Sequence, residues 1–397
     1  MNEQEGRNGA KEQGPVRQIL CVSTASYLPF PSRKQNVMER LSDAEILYID
    51  PPVTFLAPLK DPEAKERLGA YKKPGTKVRE NITVFAAPPV WPFFNKYRFI
   101  NRRNQKRLAR YLKKLMKAHG FQRPLLWCYS PTSCDLAPLL PHSALVYDCV
   151  DRHSAYPGMI DPEVVDKMEE DLARQADMIF STAAGLYDTL IKYNENTALL
   201  PNGVNYRLFS QAAEAKGEPS SSGPVFGFVG MLQSCIDYSC LEAVARAWPE
   251  GELRLIGRPL PGVDYRELKV LPNVKFLGLL PQEELPEQIR QFDVCLNPFR
   301  GGELSRDVSP LKFYEYLATG KPVVSTPEPG QVQDYRDVVF IGATPEEFVD
   351  RCREALAEAG TAEGAEKARR RMEYGQACSW ESRVAEMEAL LRQRGIY

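Results

Sequence analysis

Short apolar runs that alternate with helix-forming stretches constrain this fold more than any other feature. Helical patterns over 34–42, 98–118, 162–175 and 183–192 lie between them. Strands and helices that alternate in this way build a parallel sheet with helices on both faces. The pattern therefore excludes a β-sandwich and a helical bundle. In the first half, the runs that fit buried strands begin at Gln18, Glu45, Ile82, Pro124, Ala144, Met178 and Thr197.

The same pattern starts again after a polar segment. Residues 211–224 are rich in glycine, proline and serine, and they cannot bury enough apolar surface to pack as an element. Strand-like runs resume at 225–229, 252–256, 274–277, 294–296, 322–325 and 338–341, with helices near 237–248, 309–319 and 345–357. We predict an α/β chain of two Rossmann-like, doubly wound domains that face each other across a cleft.

The domain boundaries follow from these runs. We place the first domain at 16–205, a linker at 206–224 and the second domain at 225–375. Residues 1–15 are expected to form a disordered tail. Apolar residues at helical spacing predict an amphipathic C-terminal helix over 376–397 that packs back on the body.

Composition excludes several classes of protein. The 51 basic and 52 acidic residues nearly cancel, which argues against a protein that coats nucleic acid. No run of 18 apolar residues is present and the first residues are polar, so we expect a cytoplasmic protein. Nine cysteines without a Cys-x-x-Cys pair are expected to be reduced and to pack as small apolar groups. Three scattered histidines do not suggest a metal site.

The segment 307–325 carries the most chemical information. Ser309 is expected to cap a helix whose first turn contains Pro310, and its free backbone N–H groups would attract an anion. Lys312 would neutralise a bound diphosphate, although a solvated surface lysine is the alternative. Glu315 would accept hydrogen bonds from two vicinal hydroxyl groups.

This segment resembles a known family. The run Glu-Tyr-Leu-Ala-Thr-Gly-Lys-Pro-Val-Val (315–324) is similar to the donor-site helix of GT-B glycosyltransferases of group 1. Further similarities lie at 200–209, 228–232, 255–257 and 271–278. Within the family, the chain looks most like bacterial enzymes of teichuronic acid biosynthesis. The resemblance implies a GT-B fold, with a nucleotide-sugar donor bound to the second domain.

The resemblance also implies donor contacts. Glu315 matches the second glutamate of the family motif, and Asp307 stands where the first is expected; it is either a donor contact or a helix cap. Many family members place an arginine and a lysine after the first strand of the second domain, where the two cations bind the diphosphate. In this sequence, Met231 and the region around Ile236 stand at those positions. The residues expected to bind the donor are Glu315, Lys312, Ser309, Pro310, Leu311, Arg306, Arg258, Gly230 and Leu280, with Arg300 as a further cation.

Three residues of the first domain are candidates for the catalytic machinery. Arg33 lies where the resembling enzymes place a loop over the acceptor and the donor phosphates; a solvated helix start is the alternative. Asp151 is a candidate general base, because a carboxylate near a diphosphate has a raised pKa. His153 would share that work. A turn with capping polar residues is the alternative for both.

The stretch 96–117 holds ten basic residues and no acidic one. A basic amphipathic helix with aromatic anchors suits an anionic membrane surface. No nucleic-acid motif accompanies the helix, so nucleic-acid binding is disfavoured. An ordinary solvated helix is a second alternative to membrane binding. We expect the inner face of the cell membrane, or the acceptor, to contact Trp91, Phe94, Arg102, Arg103, Lys106, Arg110 and Lys113.

These observations predict a glycosyltransferase that moves a sugar from a nucleotide-diphosphate sugar, UDP-sugar favoured, to a hydroxyl of an envelope polysaccharide or lipid-linked precursor. No Asp-x-Asp motif is present, so no metal or other cofactor is expected. The resemblance implies retention of anomeric configuration, whereas Asp151 as a base on the opposite face would favour inversion. A nucleotide-sugar epimerase or hydrolase and a catalytically silent sugar-binding subunit are the alternatives. A dehydrogenase is disfavoured because no Gly-x-Gly-x-x-Gly follows a first strand.

Overall fold

The computed structural model describes residues 17–397 except 30, 60, 62–63, 157, 214–222 and 261. The predicted tail at 1–15 and the central part of the predicted linker therefore lie outside the described residues. The described chain forms two α/β units, each built around its own twisted sheet.

The first domain is built on an eight-stranded sheet in the described part of the chain, with the order β3-β4-β2-β1-β5-β6-β7-β8. Every neighbouring pair is parallel except β3 with β4. Its strands are β1 (Arg17–Val22), β2 (Ala44–Asp50), β3 (Thr76–Arg79), β4 (Ile82–Ala86), β5 (Leu125–Cys128), β6 (Leu145–Cys149), β7 (Met178–Ser181) and β8 (Thr197–Leu199). Its helices are α1 (Arg33–Met38), α2 (Ala64–Arg67), α3 (Arg98–Ala118), α4 (Pro162–Gln175) and α5 (Ala184–Leu190).

The second domain has a six-stranded, fully parallel sheet among the described residues, with the order β11-β10-β9-β12-β13-β14. Its strands are β9 (Val225–Val229), β10 (Glu252–Ile256), β11 (Val274–Gly278), β12 (Val294–Asn297), β13 (Val323–Ser325) and β14 (Val339–Ile341). The helices of the rest of the chain are α6 (Tyr206–Phe209), α7 (Tyr238–Ala247), α8 (Arg266–Lys269), α9 (Leu285–Arg290), α10 (Leu311–Thr319), α11 (Pro345–Ala357), α12 (Ala362–Ala377) and α13 (Trp380–Gln393).

The chain returns to the first domain at its C-terminus. Ser379 caps α13 by accepting a hydrogen bond from the backbone N–H of Ser382. The buried face of α13 packs into the core of the first sheet, among residues such as Met38 and Trp127. The predicted helix over 376–397 thus starts later, at Trp380. The residues of α13 that enter this core are Trp380, Val384, Met387 and Leu391.

Three local features differ from the sequence predictions. The strand β3 was not predicted, because it is a polar edge strand with largely exposed side chains. The helix α12 was not predicted either, because it has no apolar stripe; it packs through Gly375, where a Cβ would lie 2.5 Å from the Cα of Ala318. Residues 206–213 of the predicted linker are packed rather than extended, since Phe209 and Ala212 are buried in the second core.

None of the described helices is long and apolar enough to cross a membrane. Each of the nine cysteines is a free thiol, and eight of them are buried. The eight buried thiols belong to the hydrophobic cores of the two domains, which is the role that the sequence suggested.

Candidate active site

A cleft of about 470 Å³ lies between the two domains. Loops that follow parallel strands form much of its wall, as is general for open α/β sheets. The first domain contributes residues around the start of α1 and after β6, and the second contributes the turns after β9, β10 and β11 and the start of α10. Nine predicted site residues meet there: Arg33, Asp151, Gly230, Leu280, Ser309, Pro310, Leu311, Lys312 and Glu315.

Lys312 lies in the first turn of α10 and is buried. Its Nζ atom is 4.0 Å from the ring centroid of Phe228 and 4.8 Å from that of Phe299. Burial lowers the pKa of this ammonium group to about 7. No ion pair to it is formed by a carboxylate in the described part of the chain. Aromatic rings thus hold a cation that is ready to meet an anion.

Glu315 lies one turn further along the same face of α10. It is also buried, and the Nε2 atom of Gln282 donates a hydrogen bond of 3.2 Å to its Oε1. Burial raises the pKa of Glu315 to about 7. One carboxylate oxygen is therefore oriented by Gln282, and the side chain faces the cleft with further capacity to accept hydrogen bonds.

Two glycines allow the turns of the second domain to approach α10. Gly230 has a φ of 136°, and a Cβ there would lie 3.1 Å from the Nζ of Lys312. Gly257 has a φ of 141°, and a Cβ there would lie 2.0 Å from the carbonyl oxygen of Gly230. Side chains at these positions would strain the backbone and fill the space beside Lys312.

The start of α10 differs from the prediction by one residue. Pro310 is the N-cap, with extended backbone angles, and the helix begins at Leu311. Ser309 does not cap the helix, because its Oγ accepts a hydrogen bond from the backbone N–H of Asn202. The Nδ2 of Asn202 also donates to the Ser309 carbonyl at 2.8 Å. Ser309 therefore joins the two domains at the edge of the cleft.

Arg33 forms the opposite wall. Its Nε donates to both oxygens of Asp148, at 2.9 and 3.1 Å, and its Nη1 donates to the carbonyls of Leu200 and Pro201. Its Nη2 is buried and has no hydrogen-bond partner. Three partners thus fix the guanidinium group, and its Nη2 atom can still donate hydrogen bonds to a ligand.

Lys34 follows Arg33 and also faces the cleft. Its Nζ lies 5.3 Å from the ring centroid of Tyr129, and burial lowers its pKa. Asp151 lines the cleft from the loop after β6, and the Tyr156 hydroxyl donates a 2.7 Å hydrogen bond to its Oδ2. Burial raises the pKa of Asp151, and the charge of Lys34 partly opposes this. The first domain therefore supplies both cations and a carboxylate to the cleft.

Comparison with known proteins agrees with this geometry. Residues 223–358 match the family described as Glycosyl transferases group 1. They form a glycosyltransferase group 1 domain. The predicted membership is thereby confirmed for this domain, which contains Gly230, Lys312 and Glu315.

A protein of Bacillus subtilis (strain 168), assigned as the teichuronic acid biosynthesis glycosyltransferase TuaH, is 27% identical over 258 residues. The alignment covers 60% of this chain and 65% of that relative, slightly under two thirds of its length. This relationship supports the predicted resemblance to teichuronic acid enzymes.

Two solved structures share the architecture of the whole chain. Sucrose-phosphate synthase from Thermosynechococcus elongatus has a TM-score of 0.69 at 15% identity, covering 95% of this chain and 98% of that chain. A structure from E. coli, described as trehalose-6-phosphate bound with UDP-2-fluoro glucose, has a TM-score of 0.68 at 14% identity, covering 95% of this chain and 99% of that chain. At these identities the likeness shows the fold, and the predicted GT-B architecture is confirmed.

Asp307 does not line the cleft between the two domains. Its carboxylate pairs with Arg152 of the first domain, with 3.1 Å between Nη2 and Oδ1. It also packs against Gly185, where a Cβ would lie 2.2 Å from Oδ1. The side chain is used in an interdomain ion pair, and the predicted helix cap is wrong because Pro310 is the N-cap of α10. The predicted contact of Asp307 with the donor stays a prediction.

Three other predicted residues also lie outside the cleft. His153 is buried, with its Nε2 3.0 Å from the carbonyl oxygen of Tyr129, and burial lowers its pKa to about 4. It lines a neighbouring cavity rather than the cleft, and its predicted share in the work of Asp151 stays a prediction. Arg306 is exposed and pairs with Asp188. Arg258 and the further candidate Arg300 are exposed and do not line the cleft, although each directly follows a lining residue, Gly257 and Phe299 respectively.

Three residues that were not predicted also line the cleft: Lys34, Asn202 and Gln282. Lys34 follows Arg33 directly, and Asn202 belongs to the Leu-Pro-Asn-Gly-Val-Asn run. A weak signal existed for both. Gln282 follows β11 in a polar loop, and only the packing of that loop against α10 brings it to Glu315.

The basic helix α3 has one exposed face next to aromatic side chains. Trp91 is 51% exposed and Phe99 is 70% exposed. Lys113 is exposed further along the helix. Phe94 does not belong to this surface, because it is only half-exposed and lines the same cavity as His153. The residues that share a shallow groove are Trp91, Phe99, Arg102, Arg103, Asn104, Lys106, Arg107 and Arg110.

Proposed function

We propose that this chain is a glycosyltransferase that moves a sugar from a nucleotide-diphosphate sugar, preferably a UDP-sugar, to a hydroxyl group of a bacterial envelope polysaccharide or its lipid-linked precursor. The observation that carries the proposal is the pair of buried side chains on α10. Lys312 and Glu315 lie one turn apart in the cleft, and no hydrogen bond or ion pair joins them. Unpaired buried charges are costly, so a bound ligand is the expected partner.

The diphosphate of the donor is assigned to the cations. Lys312 approaches the cleft from the second domain, and Lys34 and the unpartnered Nη2 of Arg33 approach it from the first. Charge-assisted hydrogen bonds from these groups would replace the hydration of the phosphates. Three protein cations supply positive charge where a divalent metal would otherwise be needed, so we propose metal-independent binding.

Glu315 is assigned to two neighbouring hydroxyl groups of the nucleotide. A carboxylate accepts hydrogen bonds and donates none, so vicinal hydroxyls are a suitable partner. Gln282 fixes one of its oxygens and thereby orients the other toward the cleft.

Asp151 is assigned to the acceptor. The acceptor oxygen forms a bond to the anomeric carbon while the bond from that carbon to the diphosphate oxygen breaks and nucleoside diphosphate leaves. We propose retention of configuration, with the acceptor proton passing to the leaving phosphate and Asp151 orienting the hydroxyl by accepting its hydrogen bond. The Tyr156 hydroxyl holds the Asp151 carboxylate in place for this role.

NMR of the product distinguishes this step from inversion. An orienting role for Asp151 predicts a product with retained anomeric configuration. It also predicts that sugar transfer is about 100-fold slower in Asp151→Ala but only about tenfold slower in Asp151→Asn. An inverted product, with both variants slower by about 10²- to 10⁴-fold, would make Asp151 the general base instead.

The groove beside α3 is assigned to an anionic membrane surface at the inner leaflet. Basic side chains surround exposed aromatic rings there, and each basic group near such a surface contributes about 1 kcal/mol. Neutralising Arg102, Arg103 and Lys106 together should lower partitioning into phosphatidylglycerol vesicles by about 100-fold. Equal binding of wild type and variant to phosphatidylcholine and phosphatidylglycerol vesicles would reject this surface.

Thermal shift with UDP-, GDP- and dTDP-sugars, with and without EDTA, tests the donor assignment. We expect stabilisation by one nucleotide class that survives EDTA and is lost in Glu315→Ala. The exposed Glu250→Ala is the matched control and should keep the shift. If no nucleotide-sugar stabilises the wild type, the donor assignment fails and a silent subunit becomes the better explanation.

A further inference from the structure

A second cavity of about 230 Å³ lies inside the first domain, at the carboxyl ends of β1 and β5 and against α3. Its volume is smaller than that of typical ligand pockets, which is about 300–1,000 Å³. A cavity of this size suits a single sugar unit. No lining residue that the structure describes is an acid, a lysine or an arginine. The polar part of the wall consists of hydroxyl, amide, imidazole and phenol groups, among them those of Thr24, Asn101, Gln105, His153 and Tyr156.

Gln105 carries the decisive polar atom. Its Nε2 donates a 3.1 Å hydrogen bond to the Oδ1 of Asn101, which fixes the orientation of the amide. Its Oε1 is buried and has no hydrogen-bond partner. Native proteins rarely leave such an atom unsatisfied, so a ligand hydroxyl that donates to it is the expected partner.

The cavity meets the cleft at Tyr156. This side chain lines the cavity, and its hydroxyl donates to Asp151, which lines the cleft. His153 packs against the Tyr156 ring, with 5.3 Å between the ring centroids. Tyr156 therefore connects the wall of the cavity to the carboxylate of Asp151 in the cleft.

We infer that this cavity holds an uncharged sugar unit of the acceptor, and the inference rests on the transferase activity proposed above. A phosphate or carboxylate in the cavity would be buried among neutral groups, without a cation to compensate its lost hydration. Hydroxyl and amide groups would instead satisfy Gln105 and the neighbouring polar side chains. The charge-free wall thus selects neutral acceptors over uronic acids and sugar phosphates.

Saturation-transfer NMR on the full chain without nucleotide tests the cavity directly. The probes are methyl glucoside, methyl N-acetylglucosaminide, methyl glucuronide and glucose 6-phosphate. We expect the first two to bind and the last two not to bind. Gln105→Leu should raise the Kd of the neutral glycosides about tenfold, since one hydrogen bond is lost.

Two further variants separate binding from folding. Gln122→Leu changes an exposed glutamine outside the cavity and should leave the Kd unchanged. Thr24→Trp narrows the cavity from an exposed lining position without touching the Gln105 amide, and it should abolish binding. Preferential binding of the charged probes, or an unchanged Kd in both Gln105→Leu and Thr24→Trp, would overturn the inference.

Titration with UDP-glucose is run in parallel, to separate this inference from the proposed function. Neutral glycoside binding without nucleotide-sugar binding supports the cavity assignment and counts against the transferase. Nucleotide-sugar binding without glycoside binding overturns the cavity assignment alone.

Discussion

Two charged pairs that lie close together in the sequence are used in opposite ways. Arg306 and Asp307 form ion pairs with the first domain, through Asp188 and Arg152. Lys312 and Glu315, only a few residues further on, are buried in the cleft and form no ion pair between described residues. The first pair joins the domains, whereas the second is left available to a ligand.

The difference shows that the partners of a charge decide its role. Asp307 occupies the position of a family motif, yet Arg152 already satisfies its carboxylate. Lys312 has aromatic rings as neighbours, and burial lowers its pKa to about 7. A buried cation without a direct ion pair decreases the stability of the free protein, and such a cost is typical of functional sites.

The largest expected effect comes from Lys312→Met. Removing the ammonium should weaken UDP-sugar binding by about 100-fold, because a charge-assisted contact is lost. The same change should raise Tm by several degrees, since a buried charge is replaced by an apolar side chain of similar length. Calorimetric titration and thermal unfolding measure the two effects.

The sign of the stability change depends on pH. The folded pKa of Lys312 lies below its ordinary value, so its burial penalty is complete below about pH 7. The penalty decreases as pH rises toward the ordinary lysine pKa, and the Tm gain should decrease with it. A variant that binds the donor normally, or that is less stable than the wild type at pH 6, would contradict the assigned role.

Asp307→Asn tests the other pair and should mainly affect stability. The substitution weakens a largely buried ion pair with Arg152, so we expect a loss of about 1–3 kcal/mol in the free energy of unfolding. The UDP-sugar Kd should change by less than about threefold. Urea unfolding measures the loss of stability, and calorimetric titration measures the Kd of the UDP-sugar. A large loss of donor affinity at unchanged stability would show that Asp307 contacts the donor.

The pH dependence of donor binding sharpens the comparison. Lys312 loses its proton above about pH 7 in the free protein, and Glu315 gains one below about pH 7. Binding requires the charged form of both, so affinity should be greatest near pH 7 and fall on either side, by up to about tenfold per pH unit. Lys312→Arg should remove the alkaline decrease, because arginine stays charged. Titration from pH 5.5 to 9 measures the profile, and a flat one would contradict both assignments.

Arg306→Gln should have the smallest effect. Arg306 and Asp188 are both more than half exposed, and exposed ion pairs contribute about 0–1 kcal/mol. Unfolding and UDP-sugar binding should both remain close to wild type. A strong loss of donor affinity would show that Arg306 leaves Asp188 and enters the cleft when a donor binds.

The sequence predicted the elements with strong patterns. The helices α3, α4 and α11 have the expected bounds, and the strands agree to within a few residues. The polar strand β3 and helix α12 were missed, because tertiary contacts rather than an apolar pattern stabilise them. Arg33, Asp151, Lys312 and Glu315 were correctly placed at one cleft, because the segments that follow parallel strands gather at one edge of each sheet and these two edges face each other.

By itself, then, the sequence determined the two α/β domains, the cleft between them and the group 1 motif, because apolar periodicity and local motifs are properties of neighbouring residues. Only the tertiary structure decided which polar groups are already satisfied. Asp307 and His153 have partners from distant segments, whereas the Oε1 of Gln105 and the Nη2 of Arg33 have none. Hydrogen bonding and burial depend on residues that are far apart in the chain, and so they become visible only after folding.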